Sequence, residues 1–272
     1  MNKIKHIYLL LIGVLLFSGL VRASEIKRIV SLAPSLTKNL QYLEAEDLLV
    51  GCTSYCQPGR KVEVVASAVK VNVEKVVTMK PDLIIATTIT DPETIGVLRK
   101  FGIRVEVFPR ANSFEDICSQ FLNLGNIIGK DVRAQKVVSD CKKKVEELKL
   151  SVNSVQKPKI FLQIGADPLY TVMPKTFMDD YITFAGAKNI ASDLTIGSIS
   201  RESVLLRNPD VIFIVTMGIV GEDEKAAWEK VKALSAAKNK KIFIIDSDKA
   251  CTPTPFTFVE TLETMIKLTY GK

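Results

Sequence analysis

NVEKVVTMKPDLIIA, from Asn72 to Ala86, and SRESVLLRNPDVIFI, from Ser200 to Ile214, are the same phrase written twice. Each has a glutamate, a proline seven residues later, an aspartate directly after it and then a run of large apolar residues. Two residues ahead of each glutamate stands a residue suited to cap a helix, Asn72 or Ser200. The phrase therefore predicts a short helix, Val73–Met79 or Ser200–Arg207. The proline stops it, because the residue before a proline is driven out of the right-handed helical region. The apolar runs, Leu83–Ala86 and Val211–Val215, read as strands buried on both faces of a parallel sheet.

Outward from each copy the pattern repeats. An opening strand, Arg28–Leu32 or Lys159–Gly165, precedes the glutamate by 45 residues counted from Ile29 and by 42 counted from Ile160. In the first half a helix over Leu36–Leu43, a strand over Leu48–Cys52, a helix over Glu93–Phe101 and a strand over Val105–Phe108 fill the remainder. In the second half a turn at Asp167–Pro168 is followed by a helix over Phe177–Ala185. A helix carrying Trp228, a strand over Lys241–Ile245 and a closing helix over Phe256–Leu268 complete it. Alternating helices and strands make the fold class α/β. Two copies of one unit make two similar lobes with central parallel-type sheets, not a solenoid, which needs more repeats.

Between them lies DVRAQKVVSDCKKKVEELKL, residues 131–150, free of Gly and Pro and rich in helix formers. One helix of that length spans roughly 30 Å and holds the lobes at a nearly fixed angle. The expected organisation is a signal peptide over 1–23, an N-terminal lobe over 24–130, a linking helix over 131–153 and a C-terminal lobe over 154–272. Ligands of open α/β sheets bind beyond the carboxyl ends of the strands, which places the ligand cleft between the lobes.

Lys3 and Lys5, an apolar stretch from Ile7 to Phe17 and the small-residue site Val21-Arg22-Ala23 read as a signal peptide cut before Ser24. The alternative is an uncleaved anchor. No cysteine follows the apolar stretch where a lipoprotein would need one. The expected product is exported, soluble, periplasmic and monomeric. Of 272 residues 47% are hydrophobic and 25% charged, with a net charge of +7. The charges are scattered and no aromatic residues interleave with them, so no nucleic-acid partner is expected. The single histidine, His6, lies in the signal. That leaves no histidine for a metal site, a Ser-His triad or a Cys-His dyad, so neither catalytic nor metal-binding residues, and no cofactor, are expected. Five cysteines are an odd set. Cys118 and Cys141 could come level on a helical hairpin, with two buried free thiols the preferred reading.

Candidate ligand-binding residues sit in turns after strands: Pro34, Ser35, Tyr55, Thr87, Tyr170, Gly197, Asp248 and Thr252. Tyr55 and Tyr170 are the sharpest, since a tyrosine offers a flat apolar face with a hydroxyl. Each could instead cap the core of its own lobe. Glu74 and Glu202 have a local reading too. A carboxylate in the first turn of a helix gains about 0.3–1 kcal/mol from the helix dipole.

The segments RIVSLAPSLTKNL, LLVGCTSYC, NVEKVVTMKPDLIIAT, KIFLQIGADPLYTV and SRESVLLRNPDVIFIV, in this order, resemble the class III periplasmic substrate-binding proteins of ABC importers for cobalamin, haem and ferric siderophores. TSYC, FLQIGADPLYT and SRESVL are most similar to the cobalamin-binding members. The resemblance covers nearly all of the chain after the signal. It implies a corrinoid ligand held by Tyr55 and Tyr170, and an ABC permease dimer whose arginines receive Glu74 and Glu202. A ferric siderophore is the alternative, with Lys38, Lys70, Arg110, Lys175 and Lys249 available to an anion. Haem comes third, with Tyr55 as iron ligand. The chain departs from the cobalamin binders where they place cleft tryptophans: Ala68, Thr87 and Ile196 stand there. Thr252 takes the place of an arginine, and Ala185 and Thr264 that of a disulfide. Trp228 is read as packing.

Overall fold

The structure is a computed structural model describing residues 25–67, 70–152, 157–215 and 221–271. The signal peptide over 1–23, Ala68 and the expected lobe boundary at 153/154 lie outside the described residues. In chain order the first lobe contains β1 (Ile29–Ser31), α1 (Pro34–Tyr42), β2 (Leu49–Thr53), β3 (Glu63–Ala66), α2 (Val73–Thr78), β4 (Leu83–Thr87), α3 (Pro92–Lys100), β5 (Arg104–Phe108) and α4 (Phe114–Ile127). Helix α5 (Asp131–Ser151) leads across. The second lobe contains β6 (Lys159–Ala166), β7 (Leu169–Thr171), α6 (Phe177–Phe184), β8 (Lys188–Asn189), α7 (Arg201–Arg207) and β9 (Val211–Ile214). It ends with α8 (Gly221–Glu229), α9 (Ser235–Lys238), β10 (Ile242–Ile244), α10 (Ser247–Ala250) and α11 (Pro255–Tyr270).

The repeated phrase is one device used in both lobes. Asn72 Oδ1 accepts from Lys75 N–H at 2.9 Å, and Ser200 Oγ from Ser203 N–H at 3.2 Å, so each helix starts with a side-chain cap. Each stops on a left-handed residue ahead of its proline, Lys80 at φ 47° and Asn208 at φ 45°. The sequence rule pointed to extended backbone there; a left-handed residue leaves the helical region equally well and turns the chain more sharply. Pro81 and Pro209 are buried. The aspartate then straps the next strand to the opening strand. Asp82 Oδ2 accepts from the Lys27 and Arg28 N–H groups at 2.8 and 2.9 Å, and Asp210 Oδ2 from Lys159 N–H at 2.8 Å.

Sheet one runs β3-β2-β1-β4-β5, all parallel. Sheet two runs β10-β9-β6-β7, with β8 beside β6. Its β6, β8, β9 and β10 are parallel, whereas β7 folds back antiparallel onto β6 through the Asp167–Pro168 turn. The two-lobed α/β expectation holds, and the second sheet differs by this hairpin.

The lobes share one core. Ile29, Leu36 and Leu83 of the first sheet's layer join Ile160, Leu162 and Phe213 of the second in a continuous apolar cluster, through α4, α5 and α11. Helix α5 buries Ala134, Val137, Val138, Cys141, Val145 and Leu148, one stripe of its surface. Gly125 on α4 lets the two helices close, since a Cβ there would stand 2.5 Å from the Ala134 Cβ. Phe258 of α11 stacks on Phe114 at 4.5 Å and on Tyr181 at 4.6 Å, so one ring touches both lobes. The joint is therefore a packed helical layer and not α5 alone. Cys118 and Cys141 are buried free thiols within it, as preferred from the sequence. Among the described residues no helix is long and apolar enough to cross a membrane.

Candidate functional site

At the carboxyl ends of β1 and β2 the chain turns into α1 and into the Ser54–Tyr55 turn. Pro34 opens α1, and Pro34, Thr37 and Lys38 share one face at i, i+3 and i+4. Cys56 N–H donates to the Thr53 carbonyl at 3.1 Å, closing a turn that sets Tyr55 and Gln57 beside that face. From the other lobe, α10 supplies Asp248 and the following loop Thr252. Thr252 is fixed by its carbonyl, which accepts from the Thr257 hydroxyl at 2.7 Å in the capping box of α11. Pro34, Thr37, Lys38, Tyr55, Gln57, Asp248 and Thr252 surround a pocket of about 20 Å³ between the lobes. That is room for about one water molecule. Gln57 Nε2 donates to Asp248 Oδ2 at 2.8 Å across it.

Of the eight ligand-binding candidates the structure thus brings Pro34, Tyr55, Asp248 and Thr252 to one place. Tyr170 and Gly197 form a second group. Thr171 N–H donates to the Gly197 carbonyl at 2.8 Å, and a Cβ on Gly197 would lie 3.2 Å from the Tyr170 ring. Tyr170 lies on β7 and not in a turn. Strands β7 and β10 stand at opposite ends of their sheet path, three strand steps or roughly 14 Å apart at about 4.8 Å per step, so Tyr170 does not line the pocket at Asp248. Tyr55 is 55% and Tyr170 43% exposed, so neither caps a core. Ser35 lies on α1 and Thr87 at the end of β4 beside Phe108, and neither lines the pocket. A second small pocket lies over the ends of β1–β3 and the loop after β4, among Leu32, Thr53, Ala66, Lys70, Ile89 and Thr90.

The five cations considered for an anionic ligand do not converge. Lys38 lines the first pocket and Lys70 the second. Lys249 is paired with Glu260 at 2.9 Å, and Arg110 and Lys175 line neither. Gln57 was missed from the sequence; its place between Tyr55 and Pro58 in a strand-end turn was the available signal.

A two-lobed molecule whose inter-lobe pocket is lined by Tyr55 from one lobe and Asp248 and Thr252 from the other is a binding architecture, and the periplasmic binding protein profile matches residues 29–249. The chain belongs to the periplasmic binding protein family. Its two helix-linked lobes are those of the class III substrate-binding proteins of ABC importers. The binding protein is 27% identical over 256 residues to the vitamin B12-binding protein of Vibrio parahaemolyticus serotype O3:K6, covering 92% of each chain. The crystal structure of the periplasmic vitamin B12-binding protein BtuF of Vibrio cholerae superposes with a TM-score of 0.75 at 27% identity, over 91% of this chain and 99% of that one. A Staphylococcus epidermidis structure described as a possible iron-binding, periplasmic solute-binding protein gives 0.80 at 26% identity, over 91% and 100%.

Glu74 and Glu202 are exposed at the second position of α2 and α7. Glu202's own backbone N–H and the Ser200 hydroxyl hold its carboxyl below the usual glutamate range, so it stays charged. Its helix is anchored in the binding protein's second lobe by the preceding residue. Arg201 meets both carboxylate oxygens of Glu224 at 2.7 Å and lies over Trp228 at 4.7 Å. Glu224 also accepts from Gln163 Nε2 at 2.8 Å, and Gln163 Oε1 from Trp228 Nε1 at 2.8 Å. Trp228 is buried in this network, a packing residue.

Proposed function

We propose that the protein binds a corrinoid of the cobalamin type in the cleft and delivers it to an ABC importer. The observation that carries this reading is Tyr55, exposed at the pocket between the lobes, with a second exposed tyrosine, Tyr170, on the other lobe. A flat amphipathic face on each lobe suits a broad amphiphilic macrocycle. Gln57, Asp248 and Thr252 supply polar partners for its amide side chains. The vitamin B12-binding relatives support the same ligand class. A pocket of about 20 Å³ is far smaller than a drug-sized site of roughly 300–1,000 Å³. Binding therefore breaks the Gln57–Asp248 bond and displaces the two loops that bear it.

The protein carries its ligand without transforming it, exported by cleavage before Ser24 and released as a periplasmic monomer. A permease dimer presents two matching surfaces, and Glu74 and Glu202, on equivalent helices of the two lobes, are the matching charges that dock onto its arginines. The second reading, a ferric siderophore, draws on the iron-binding description of the Staphylococcus structure and on Lys38 at the pocket. Calorimetry against cobalamin, cobinamide, haemin and ferric siderophores decides. Binding of cobalamin, with pink colour co-eluting on gel filtration, is expected. Heat only with a ferric siderophore overturns the corrinoid assignment.

A further inference from the structure

Cys56 sits between two residues that line the cleft, Tyr55 and Gln57, and its sulfur is unlike the other buried ones in this chain. Thr37 Oγ1 lies 3.1 Å and Thr53 Oγ1 3.2 Å from the Cys56 Sγ. The Tyr55 N–H donates to Thr53 Oγ1 at 3.3 Å, which leaves the Thr53 proton free to point at the sulfur. Thr37, whose own proton goes to Ser31 Oγ at 2.9 Å, lines the pocket, so the Cys56 sulfur lies beside a residue of the cleft wall. Cys52, four residues earlier near the end of β2, is buried in the apolar cluster against which the Cys56 side chain also packs. The turn closed by Cys56 N–H and the Thr53 carbonyl carries the chain back over the end of β2, so the two cysteines flank it.

Hydrogen bonds to a sulfur favour its anion, and the thiolate is the nucleophile in disulfide exchange. The neighbouring Cys52 thiol and the Thr53 hydroxyl lower the Cys56 pKa, while the Cys56 sulfur together with burial raises that of Cys52. Cys118 and Cys141 show the contrast. Burial pushes each up to about 12, so both remain inert thiols.

We propose that Cys52 and Cys56 are a thiol–disulfide exchange site built into the cleft wall, which takes small disulfides as co-reactant. The Cys56 thiolate attacks one sulfur of the small disulfide. Its S–S bond breaks, one thiolate leaves, and a mixed disulfide forms on Cys56. Cys52 then gives up its proton and attacks the Cys56 sulfur, releasing the second small thiolate. The two protein thiols are oxidised to a Cys52–Cys56 disulfide and the small disulfide is reduced to two thiols. The bond staples the turn that holds Tyr55 and Gln57, so the oxidised and reduced forms differ in the wall they offer a ligand. The inference does not depend on which ligand that is.

The full mature chain is equilibrated in oxidised and reduced glutathione, alkylated and digested with trypsin. Both cysteines fall in one peptide, Asn39–Arg60, so the bond is read as the loss of two hydrogens and of both alkylation marks. That loss is expected in oxidising buffer, with its reversal in reducing buffer and with Cys118 and Cys141 still alkylated after unfolding. Cys52→Ser is expected to accumulate glutathione on Cys56, and Cys56→Ser to leave Cys52 unmodified in the folded protein. Full alkylation of both cysteines in the oxidised wild-type protein overturns the proposal, as does equal glutathione uptake by Cys52 in Cys56→Ser. The wild-type measurement stands even where a variant folds poorly.

Discussion

Gln57 Nε2 and Asp248 Oδ2 lie 2.8 Å apart, joining side chains 191 residues distant in the chain and on opposite lobes. The bond is exposed, so water competes for both partners, and its net worth is at most about 1 kcal/mol. Gln57→Ala should therefore leave thermal stability nearly unchanged. On the proposed binding mode a ligand breaks this bond to enter, so the same variant should bind faster. Stopped-flow mixing with the ligand checks this; an unchanged or slower association rate would show that the bond does not gate the cleft.

Glu74→Lys with Glu202→Lys should leave ligand affinity in solution unchanged and abolish uptake through the cognate permease. Charges at a rim steer encounter and fix orientation more than they hold a complex together. Normal uptake by the double variant sinks the docking assignment. A parallel loss of ligand affinity would move these residues to a binding or folding role.

Phe258→Ala removes a fully buried ring that stacks on Phe114 of one lobe and Tyr181 of the other. The expected cost is about 3–5 kcal/mol, taken from a single cooperative transition in denaturant, because the core is continuous. Two separate transitions would mean that the lobes fold independently.

The same continuity limits the hinge. Ligand should close the lobes by only a few degrees, and small-angle scattering should show almost no change in radius of gyration. A large decrease on binding would count against a packed joint.

Asp180 Oδ2 accepts from the Phe114 N–H at 2.8 Å where the lobes meet. Burial raises its pKa against that bond; Asp179 and Asp116 add to the rise and Lys149 opposes it. A carboxyl raised in the folded state binds its proton before the unfolded chain does. Its charge thus costs stability at neutral pH, and the cost fades as pH falls through the raised value. Asp180→Asn keeps an acceptor for Phe114 without the charge. It should raise the melting temperature at pH 7, by an amount that shrinks toward pH 4. A loss at pH 7 would show that the charged hydrogen bond outweighs burial.

The strands most legible in the sequence were the fully buried ones, since Leu83–Ala86 or Val211–Ile214 must be apolar on both faces; the half-exposed β5 and β10 were read from their place in the helix–strand alternation. Strands β3, β7 and β8 escaped for the opposite reason. Glu63-Val64 are exposed, and Leu169–Thr171 and Lys188–Asn189 are too short to show a period. At the site, Pro34, Tyr55, Asp248 and Thr252 were singled out as residues of strand-end turns, and they meet at one pocket. Gln57 stands in the same turn as Tyr55, but its bond to Asp248 of the other lobe is encoded in no local pattern. The proline–aspartate half of the repeated phrase was visible, but its purpose was not. Only the backbone shows that Asp82 and Asp210 strap each lobe's opening strand.

Helix α11 buries Phe258, Leu262, Met265 and Ile266 in the cluster that also holds Ile29 and Leu36. The first lobe's interior is thus closed by a helix that follows the second sheet in the chain, so neither lobe's core is complete without segments from both halves. Peeling α11 from the layer would open both lobes at once.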